Sequence, residues 1–497
     1  MAADRVTSLA EVLARTAVRH PHRPAVTDVR SGRTLTYGEL AGESERVAAF
    51  LRTHGVEPGQ RIGLLAPNGL AYLPAAFGLL AAGASLVPVA DHLTPTETTE
   101  ILSRVDVNGC LAWPMLTPLP GGSDRARLTA GPCEGFTFQW VQRDAAGPAG
   151  LAGLNPAFIR FTSGTTARSK GVVLSHEATL ARVRAADRVL GFTESDRVLW
   201  VLPLAYHFAV TIVAYVRAGA HVLLCQDSFP GTVIDAIRGF RVTVFYASPL
   251  HFERLANVPG TGPLQSLRLA LSTSAPISLD VMERFRSVHG VPVAQAYGII
   301  EAGLPCVNLP ADGLSATSVG RAIPGYEIAV LDETGAELAA GVTGEIALRG
   351  DGLFAAYYAP WQLREQVMRN GWFLTGDVGR VDESGALHLE GRTKAVILVG
   401  GFKLFPEEVE ACINEFPGVR ESRVLGRPHA RLGEVPRAEI VLASHAFDRE
   451  ALQLHCARAL SAYKVPVDFT VVAAIPKTPG GKIVRHPTEA RVPAERG

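Results

Sequence analysis

Hydroxyl side chains and glycines fill one short segment that ends in a lysine: Phe161-Thr162-Ser163-Gly164-Thr165-Thr166-Ala167-Arg168-Ser169-Lys170-Gly171. The backbone N–H groups and hydroxyls of such a loop, closed by an ammonium, can surround a polyphosphate. The segment is not a Walker loop, because no Gly-Lys-Ser/Thr opens a helix there. Loops rich in Ser and Thr are also ordinary turns, so the segment alone leaves a phosphate site and a plain turn both open.

Lysine is scarce in this chain, and its few positions cluster. Of 48 lysines and arginines, six are lysines: Lys170, Lys394, Lys403, Lys464, Lys477 and Lys482. A coding bias toward arginine explains the ratio, but it does not explain why five of the six lie within residues 394–497. An ammonium is a compact point charge that fits between oxygens of different groups, whereas a guanidinium is a planar fork. The clustering therefore predicts positions that need an ammonium, with survival on a solvated face as the alternative.

Short apolar runs alternate with amphipathic segments over residues 155–298. The apolar runs are Phe158–Phe161, Val198–Leu202, Val222–Cys225, Val242–Tyr246, Leu267–Leu271 and Val293–Ala296, and helix-like segments include His176–Leu190 and Leu279–Val288. This alternation predicts a doubly wound α/β sheet with ligands at the carboxyl ends of its strands. Upstream, predicted strands at Arg61–Leu65 and Leu86–Val89 flank an apolar helix at Tyr72–Ala82.

The chain has 497 residues, and single cores stop growing at roughly 250 to 300 residues, so we expect more than one domain. Short strands and turns over 319–350 predict a β-rich subdomain, and a proline-led helix at Pro406–Phe416 indicates a smaller α/β unit. We expect a large N-terminal domain, residues 1–392, and a small mobile C-terminal domain, residues 393–497. The Gly- and Pro-rich stretch 114–150 is predicted to be a surface loop.

Charge and composition exclude several classes of partner. With 48 acidic and 48 basic residues the formal net charge is zero, so bulk electrostatics favours neither nucleic acid nor a membrane surface. Neither a signal peptide nor an apolar run long enough to span a bilayer is evident, which predicts a cytoplasmic protein. The six cysteines are scattered without metal-ligand spacing and are expected to be reduced or buried.

Further motifs follow the loop at 161–171 in a fixed order. They are Pro203-Leu204-Ala205-Tyr206-His207, Ser272-Thr273-Ser274-Ala275-Pro276, Tyr297-Gly298-Ile299-Ile300-Glu301, Gly371-Trp372-Phe373-Leu374-Thr375-Gly376-Asp377, Gly391-Arg392-Thr393-Lys394 and Pro476-Lys477-Thr478-Pro479-Gly480-Gly481-Lys482. Together they resemble the adenylate-forming superfamily, which includes acyl- and aryl-CoA synthetases, peptide-synthetase adenylation domains and luciferases. The resemblance spans roughly residues 8–487, and joint occurrence in this order makes chance negligible.

The resemblance implies an ATP site with Mg²⁺. Its cofactor-binding residues would be Thr162, Ser163, Gly164, Thr165, Thr166 and Lys170 at the phosphates, Ser274, Ala275, Pro276, Tyr297 and Gly298 at adenine, and Asp377 and Arg392 at the ribose. The chemistry fits these roles, because a carboxylate accepts hydrogen bonds from both hydroxyls of a diol and a tyrosine ring offers a stacking face. Glu301 is implied to be both a catalytic residue and the metal ligand, supplying a hard oxygen to Mg²⁺.

The same resemblance implies two reaction steps. Lys482 is the predicted catalytic lysine, whose ammonium would steady charge at the α-phosphorus while a small carboxylic acid attacks. His207, in the segment that resembles the acyl pocket, is the other catalytic candidate. After adenylation the C-terminal domain would rotate, and Lys403 would lie where the pantetheine of CoA or of a carrier protein approaches. A surface lysine flanking a helix is the alternative for Lys403.

Several residues depart from the family pattern. Ala167 and Ser169 stand where Gly and Pro are usual, Ala395 replaces a hinge acid, and Ile300 replaces a threonine that touches the α-phosphate. Loss of one such donor costs on the order of 3 kcal/mol in a transition state. Val210 replaces a small residue expected just after His207, which would either narrow the acyl pocket or redirect its floor. This substitution predicts a compact acid, aromatic ones included, over a long straight chain.

These departures leave three functions open. The leading one is an ATP-dependent acyl- or aryl-CoA ligase, or its variant that loads a carrier protein. A second is adenylation with another acid or nucleophile, such as activation of nitrite for diazotisation of an aryl amine. A third is a non-catalytic nucleotide-binding relative, which Ile300 and Ala167 would favour. The sequence names neither the acid nor an oligomeric state.

Overall fold

The computed structural model describes residues 7–114, 116, 123–161, 170–258, 260–275, 277–392, 396–443, 447–476, 483 and 485. These residues divide into two units, each with its own packed core. Unit 1 contains the described residues up to Asp91, 101–161 and 170–391. Unit 2 contains residues 92–100 and the described residues from 392 onward.

The first sheet of unit 1 has nine strands, mostly parallel. In spatial order they are β16 (Arg321–Ala322), β15 (Gly303–Asn308), β14 (Val293–Ile299), β13 (Leu269–Ser272), β12 (Val244–Ala247), β10 (Arg197–Trp200), β11 (His221–Leu224), β1 (Pro24–Asp28) and β2 (Thr34–Thr36). The strands from β14 through β12 and β10 to β1 run parallel, so their carboxyl ends share one edge. The outer pairs at both ends are antiparallel.

The second sheet of unit 1 also has nine strands, with a parallel centre and antiparallel flanks. In spatial order they are β20 (Gln362–Leu363), β19 (Ala356–Tyr357), β9 (Gly171–Ser175), β8 (Pro156–Phe161), β4 (Ser85–Val89), β3 (Arg61–Leu65), β5 (Gly109–Ala112), β7 (Thr137–Trp140) and β6 (Ser123–Arg127). The strands β3, β5 and β8 are almost fully buried, as near-continuous apolar runs require.

Helices cover these sheets. They are α1 (Leu9–Arg19), α2 (Tyr37–Thr53), α3 (Tyr72–Ala81), α4 (Pro95–Arg104), α5 (His176–Leu190), α6 (Leu204–His207), α7 (Val213–Ala218), α8 (Pro230–Gly239), α9 (Pro249–Ala256), α10 (Leu279–His289) and α11 (Arg364–Val367). The caps follow local chemistry: the Ser175 hydroxyl accepts from the Ala178 N–H, and Gly191 closes α5 at a left-handed φ of 57°. One π-helical turn, Phe208–Ile212, lies between α6 and α7.

The third sheet of unit 1 is a small antiparallel one beside its own apolar cluster. Its strands, in spatial order, are β17 (Tyr326–Leu331), β18 (Gly344–Gly350), β21 (Phe373–Val381) and β22 (Leu387–Arg392). Ala329, Leu331, Ala347 and Trp372 pack together on one face. This sheet is the β-rich subdomain that the sequence predicts.

Unit 2 is a smaller α/β unit with a single described core. Its strands are β23 (Ile397–Val399), β24 (Phe402–Leu404), β25 (Val419–His429), β26 (Gly433–Leu442) and β27 (Asp468–Val471), and its helices are α12 (Pro406–Asn414) and α13 (Arg449–Ala459). The long hairpin of β25 and β26 supplies Val424, Ala438 and Ile440 to the core. Helix α12 starts at Pro406, where a missing N–H costs nothing.

The α/β class with a large and a small part is confirmed, but the predicted loop at 114–150 is wrong in part. That stretch contains strands β6 and β7, which add to the edge of the second sheet beside β5. Alternating aromatic residues explain β7, since Phe138 and Trp140 are buried. The predicted boundary near residue 392 remains a prediction. In the described part of the chain, the helices are too short or too polar to cross a bilayer.

One of the scarce lysines is buried in unit 2 between two carboxylates. The ammonium of Lys464 donates to Glu97 Oε1 at 2.7 Å and to Glu408 Oε1 at 2.6 Å. The Ser461 hydroxyl donates to the other oxygen of Glu97. All three charged side chains are at most 2% exposed. A compact ammonium fits between these two groups, which is the geometry that a planar guanidinium does not reproduce.

We predict that Lys464→Met destabilises the protein by about 3–5 kcal/mol, because it removes the ammonium that neutralises two buried carboxylates. Chemical denaturation of the full chain measures this loss. Arg449→Met removes an exposed ion pair with Asp468 in the same unit and serves as the control, with an expected cost below about 1 kcal/mol. Equal costs for the two variants would contradict the assignment.

The same triad predicts a pH dependence of stability. Burial favours the neutral form of Glu97, but Lys464 and Ser461 outweigh it and lower the pKa of Glu97 below its ordinary 4.5. Burial acts against the charge of Lys464 as well, yet the two carboxylates raise its pKa above 10.5. The stabilisation is therefore complete between those ordinary values, is lost as the pH falls through the folded pKa of Glu97, and is lost again at high pH.

Candidate active site

The predicted ligand-binding segments of unit 1 converge at one edge of the first sheet. Ser274 and Ala275 follow β13, and Tyr297 to Glu301 end β14 and begin the next turn. The segment that leads to His207 follows β10. Because these strands are parallel, their carboxyl ends lie together, where open α/β sheets bind ligands.

A buried hydrogen bond joins two residues of the predicted nucleotide site. The hydroxyl of Tyr297 donates to Asp377 Oδ2 at 2.6 Å, and both side chains are buried. Burial and the adjacent charge of Asp377 together raise the pKa of Tyr297 well above its ordinary value, so the phenol stays protonated. The bond fixes an aromatic ring beside a carboxylate. In an adenosine site the ring would stack on adenine, and the carboxylate would accept hydrogen bonds from the ribose diol.

The turn after β14 is held by a buried arginine that the sequence analysis missed. Arg182 donates from Nη1 to the carbonyl of Ile300 at 2.8 Å and from Nη2 to the carbonyl of Glu301 at 2.5 Å. A close approach of backbone explains Gly298, because a Cβ there would meet the carbonyl oxygen of Gly303 at 2.6 Å. The position of Arg182 on the apolar face of α5 was the available signal.

Glu301 and Lys170 meet through a tyrosine that no motif indicated. The hydroxyl of Tyr357 donates to Glu301 Oε1 at 3.1 Å, and the ammonium of Lys170 lies 4.1 Å from the centre of the Tyr357 ring. Burial raises the pKa of Tyr357, and the charge of Glu301 raises it further. Strand β19 positions Tyr357 by pairing it with Val172, two residues after Lys170. The structure thus brings together two predicted residues that are far apart in the sequence.

His207 lies against aromatic residues at the ends of β10 and β12. Its ring is 5.6 Å from the ring of Trp200 and 6.2 Å from that of Tyr246, and those two rings stack on each other. The side chain of Asn68 holds the segment before His207 through two hydrogen bonds: its Nδ2 donates to the Leu202 carbonyl, and its Oδ1 accepts from the Leu204 N–H. A π-helical turn follows His207, a feature that is frequent at functional sites and that the sequence analysis did not predict.

Ser274 has a backbone conformation that L-residues rarely adopt. Its φ is 76°, and both Ser274 and Ala275 are partly exposed at the carboxyl end of β13. Such conformations cost about 1–3 kcal/mol and concentrate at binding sites. This strain agrees with a ligand-facing loop, whereas the adenine contact itself stays a prediction.

Other predicted residues lie outside the described part of the chain. These are Thr162, Ser163, Gly164, Thr165, Thr166, Pro276 and Lys482, together with Lys394, Lys477 and the departures Ala167, Ser169 and Ala395. Arg392 ends β22, and its side chain is outside the described atoms, as is that of Val210. Lys403 is described at the centre of β24 in unit 2, where it is half-buried.

The residues present fit a magnesium ion that is held mainly by a nucleotide. In the described ranges, no group of three or more His, Cys, Asp or Glu side chains is arranged to hold a metal. Glu301 offers a carboxylate beside Lys170 and Tyr357. Mg²⁺ commonly takes one or two protein carboxylates and completes its shell with substrate phosphates and water, so one carboxylate suffices.

Comparison with known proteins places these motifs in a wider family. The model of the AMP-binding enzyme family matches residues 13–358, and that of the AMP-binding enzyme C-terminal domain matches residues 408–482. Feruloyl-CoA synthase from Amycolatopsis sp is 31% identical over 483 residues, covering 94% of this chain and 96% of the relative. Long-chain-fatty-acid–CoA ligase from Yersinia pestis is 28% identical over 533 residues, covering 97% and 94%. A solved structure of o-succinylbenzoate CoA synthetase from Bacillus subtilis matches with a TM-score of 0.81 and 26% identity, covering 95% of this chain and 97% of that one.

We predict that Tyr357→Phe weakens ATP binding in the presence of Mg²⁺ about 10-fold, because Glu301 loses a hydrogen bond to a charged group worth about 1.5–3 kcal/mol. Titration calorimetry measures this affinity. The matched control is Tyr358→Phe, which removes the adjacent hydroxyl from its contact with Asp106, away from the predicted nucleotide site. An equal loss in both variants would show that Tyr357 acts only through folding.

Proposed function

The chain belongs to the AMP-binding enzyme family, and we propose that it activates a carboxylic acid with ATP and transfers the acyl group to the thiol of CoA. In the first step a carboxylate oxygen bonds to the α-phosphorus, the bond to the β-phosphate oxygen breaks, and pyrophosphate leaves. In the second step the thiol sulfur bonds to the acyl carbon, its proton is released, and AMP leaves.

The Tyr297–Asp377 hydrogen bond is the observation that carries this proposal. It fixes an aromatic face and a diol-binding carboxylate at the carboxyl end of β14, as an adenosine site needs. Gly298 continues the same strand, and Ser274, Ala275 and Pro276 belong to the neighbouring loop. We assign adenine to these residues and the ribose to Asp377 and Arg392.

The phosphates are assigned to the loop Thr162–Thr166 and to Lys170, whose ammonium adjoins Glu301 through Tyr357. Mg²⁺, when bound, supplies charge neutralisation at the triphosphate. Glu301 would hold the ion. Arg182 binds the backbone carbonyl of Glu301 and so holds in place the backbone from which that carboxylate extends. Lys482 supplies the ammonium that stabilises charge between the attacking carboxylate and the α-phosphate.

The acid would bind near His207, whose ring lies beside the aromatic rings of Trp200 and Tyr246. The compact-acid prediction rests on Val210 and stays a prediction, since the relatives named above include a feruloyl and a long-chain ligase. Both of these relatives are CoA ligases by name, which favours CoA as acceptor over nitrite and over a carrier protein.

A panel assay tests the proposal. The protein is incubated with ATP, Mg²⁺ and individual acids, with and without CoA or nitrite, and pyrophosphate and AMP are measured. We expect acid-dependent pyrophosphate release and CoA-dependent AMP formation, both reduced at least about 100-fold by Lys482→Arg, because a planar fork does not replace an ammonium at this position. Nitrite dependence, or ATP binding without turnover, would overturn the CoA ligase assignment. Near wild-type adenylation by Lys482→Arg would refute the role of this lysine.

Ile300 offers a second test, since it stands where the family places a threonine hydroxyl. Ile300 is partly exposed at the edge of the main core, and only its carbonyl is engaged by Arg182. Ile300→Thr is expected to raise kcat for adenylation by about 10-fold or more, within the range of one added transition-state donor. Ile300→Val has the shape of threonine without the hydroxyl and is the matched control. If valine and threonine act alike, the missing hydroxyl does not limit this enzyme.

A further inference from the structure

Arg160 is a cation inside unit 1 that the proposed mechanism does not use. It lies on β8, at the centre of the second sheet, and shares a strand face with Phe158. Phe158 and Tyr72 both pack against Phe208, which directly follows His207. Arg160 is half-buried, whereas those three aromatic neighbours are almost fully buried. Part of the Arg160 residue is therefore accessible although its Nε is enclosed, and its Nη1 reaches the carbonyl of Tyr206, next to His207 in the acid segment.

Only one edge of this guanidinium is engaged. Nη1 donates to the carbonyl of Tyr206, and the guanidinium carbon lies 4.9 Å from the centre of the Tyr206 ring. Nε is enclosed and has no hydrogen-bond partner. Among the described residues, Nη2 has none either, and none of their carboxylates lies within ion-pair distance. Nε and Nη2 form the edge of a guanidinium that binds a carboxylate through two parallel hydrogen bonds.

A second buried donor near Arg160 also lacks an acceptor. The hydroxyl of Tyr72 is enclosed without a hydrogen-bond partner, and Tyr72 is 1% exposed. Tyr72 packs on Phe208, which also contacts Phe158 on the strand face of Arg160. Burial raises the pKa of Tyr72, the charge of Arg160 partly offsets that rise, and the charge of Asp91 adds to it. Buried donors without acceptors cost about 1–3 kcal/mol each. Arg160 Nε and the Tyr72 hydroxyl would together suit a negatively charged ligand group with several hydrogen-bond acceptors.

The surroundings of Arg160 favour an anion over a neutral group. Burial lowers the pKa of Arg160 to about 10, and electrostatic interactions with Tyr206 and then Glu301 partly offset that decrease. At neutral pH the guanidinium is still positive. A positive charge in a desolvated position gains most from a charged partner with two oxygens.

From these observations we propose that the acid substrate carries a second anionic group, a carboxylate or sulfonate, which binds Arg160 and Tyr72. The proposal rests on the proposed function and names its substrate class, a compact dianionic acid. Arg160 binds the carbonyl of Tyr206, the residue before His207 in the acid segment, which places this subsite near the reacting carboxylate, so the two anionic groups are separated by a short spacer.

The second anion is favoured over the reacting carboxylate for a catalytic reason. The reacting carboxylate loses its charge when it becomes an acyl-adenylate, so an arginine bound to it would stabilise the ground state more than the transition state. A distal anion keeps its charge through both steps. Its binding energy is then available throughout, and it positions the acid.

Paired acids that differ only in the distal group test the proposal. AMP formation with ATP and CoA is measured for succinate against succinamate, glutarate against glutaramate, and phthalate against phthalamate. The wild type is expected to prefer the dianion of at least one pair about 10-fold or more in kcat/KM, since a site built for a hydrogen-bonded group discriminates strongly against its analogue. Arg160→Met should abolish that preference with the KM for ATP unchanged. Tyr72→Phe should reduce it.

Arg61→Met is the matched control, because Arg61 is also an arginine of the second sheet but is more deeply buried and has its donors bound to the carbonyls of Val105, Asp106 and Ala145, away from the acid segment. It should lower stability and leave the preference intact. A uniform loss on all acids in Arg160→Met would mean that Arg160 only positions His207, or binds the reacting carboxylate, and would overturn the proposal. A wild type that prefers the amides overturns it as well, whereas absence of turnover with every acid, including simple monoacids, refutes the proposed function itself.

Discussion

Carbonyl oxygens of three residues bind the guanidinium of Arg182, and the geometry of the candidate active site depends on this interaction. Two of them belong to Ile300 and Glu301, and the third belongs to Gly352. The next carbonyl in the turn, that of Ala302, accepts from the hydroxyl of Tyr326. With its carbonyls engaged, the turn after β14 has one conformation. The carboxylate of Glu301 can then be placed against Tyr357, and the ring of Tyr297 against Asp377.

Unit 1 repeatedly neutralises buried arginines with backbone dipoles in place of carboxylates. Arg61 and Arg182 are each 2% exposed, and the guanidinium groups of both donate to carbonyl oxygens. Their donors are satisfied without a second buried charge, which avoids the desolvation of an anion. Arg160 follows the pattern only through Nη1. A structural arginine has its guanidinium donors bound by carbonyl oxygens. An arginine with unbound donors can instead bind a ligand.

Lysine and arginine have different duties in this chain. Lys464 sits between oxygens of two acidic side chains, and Lys170 lies over the face of a tyrosine ring. Both places suit a small ammonium at the end of a flexible stem. In a chain that uses arginine at almost every other basic position, these two lysines occupy sites whose geometry suits an ammonium. The scarcity itself was visible in the sequence, but the partners were not.

The sequence by itself determined the local elements, the order of the motifs and the family. Strand and helix periods depend on neighbouring residues, which is why β3 and α5 were predicted with their observed ends and why the α/β class was correct. Strands β6 and β7 were missed because the stretch 114–150 around them is rich in Gly and Pro, and because their stability comes from pairing, of β7 with β5 and of β6 with β7.

Only the tertiary structure decided which side chains meet. Lys464 reaches Glu97 across 367 positions, and Tyr297 reaches Asp377 across 80, distances over which no local pattern carries information. Tyr357, Arg182 and Asn68 belong to no motif, since their roles arise from the backbone atoms and charges that folding brings to them. Arg160 is the clearest example: its residue type is evident in the sequence, but only the folded unit shows that, among the described residues, its Nε has no hydrogen-bond partner. The physical reason is that burial and hydrogen-bond satisfaction are properties of three-dimensional surroundings, whereas periodicity and motif order are properties of the chain.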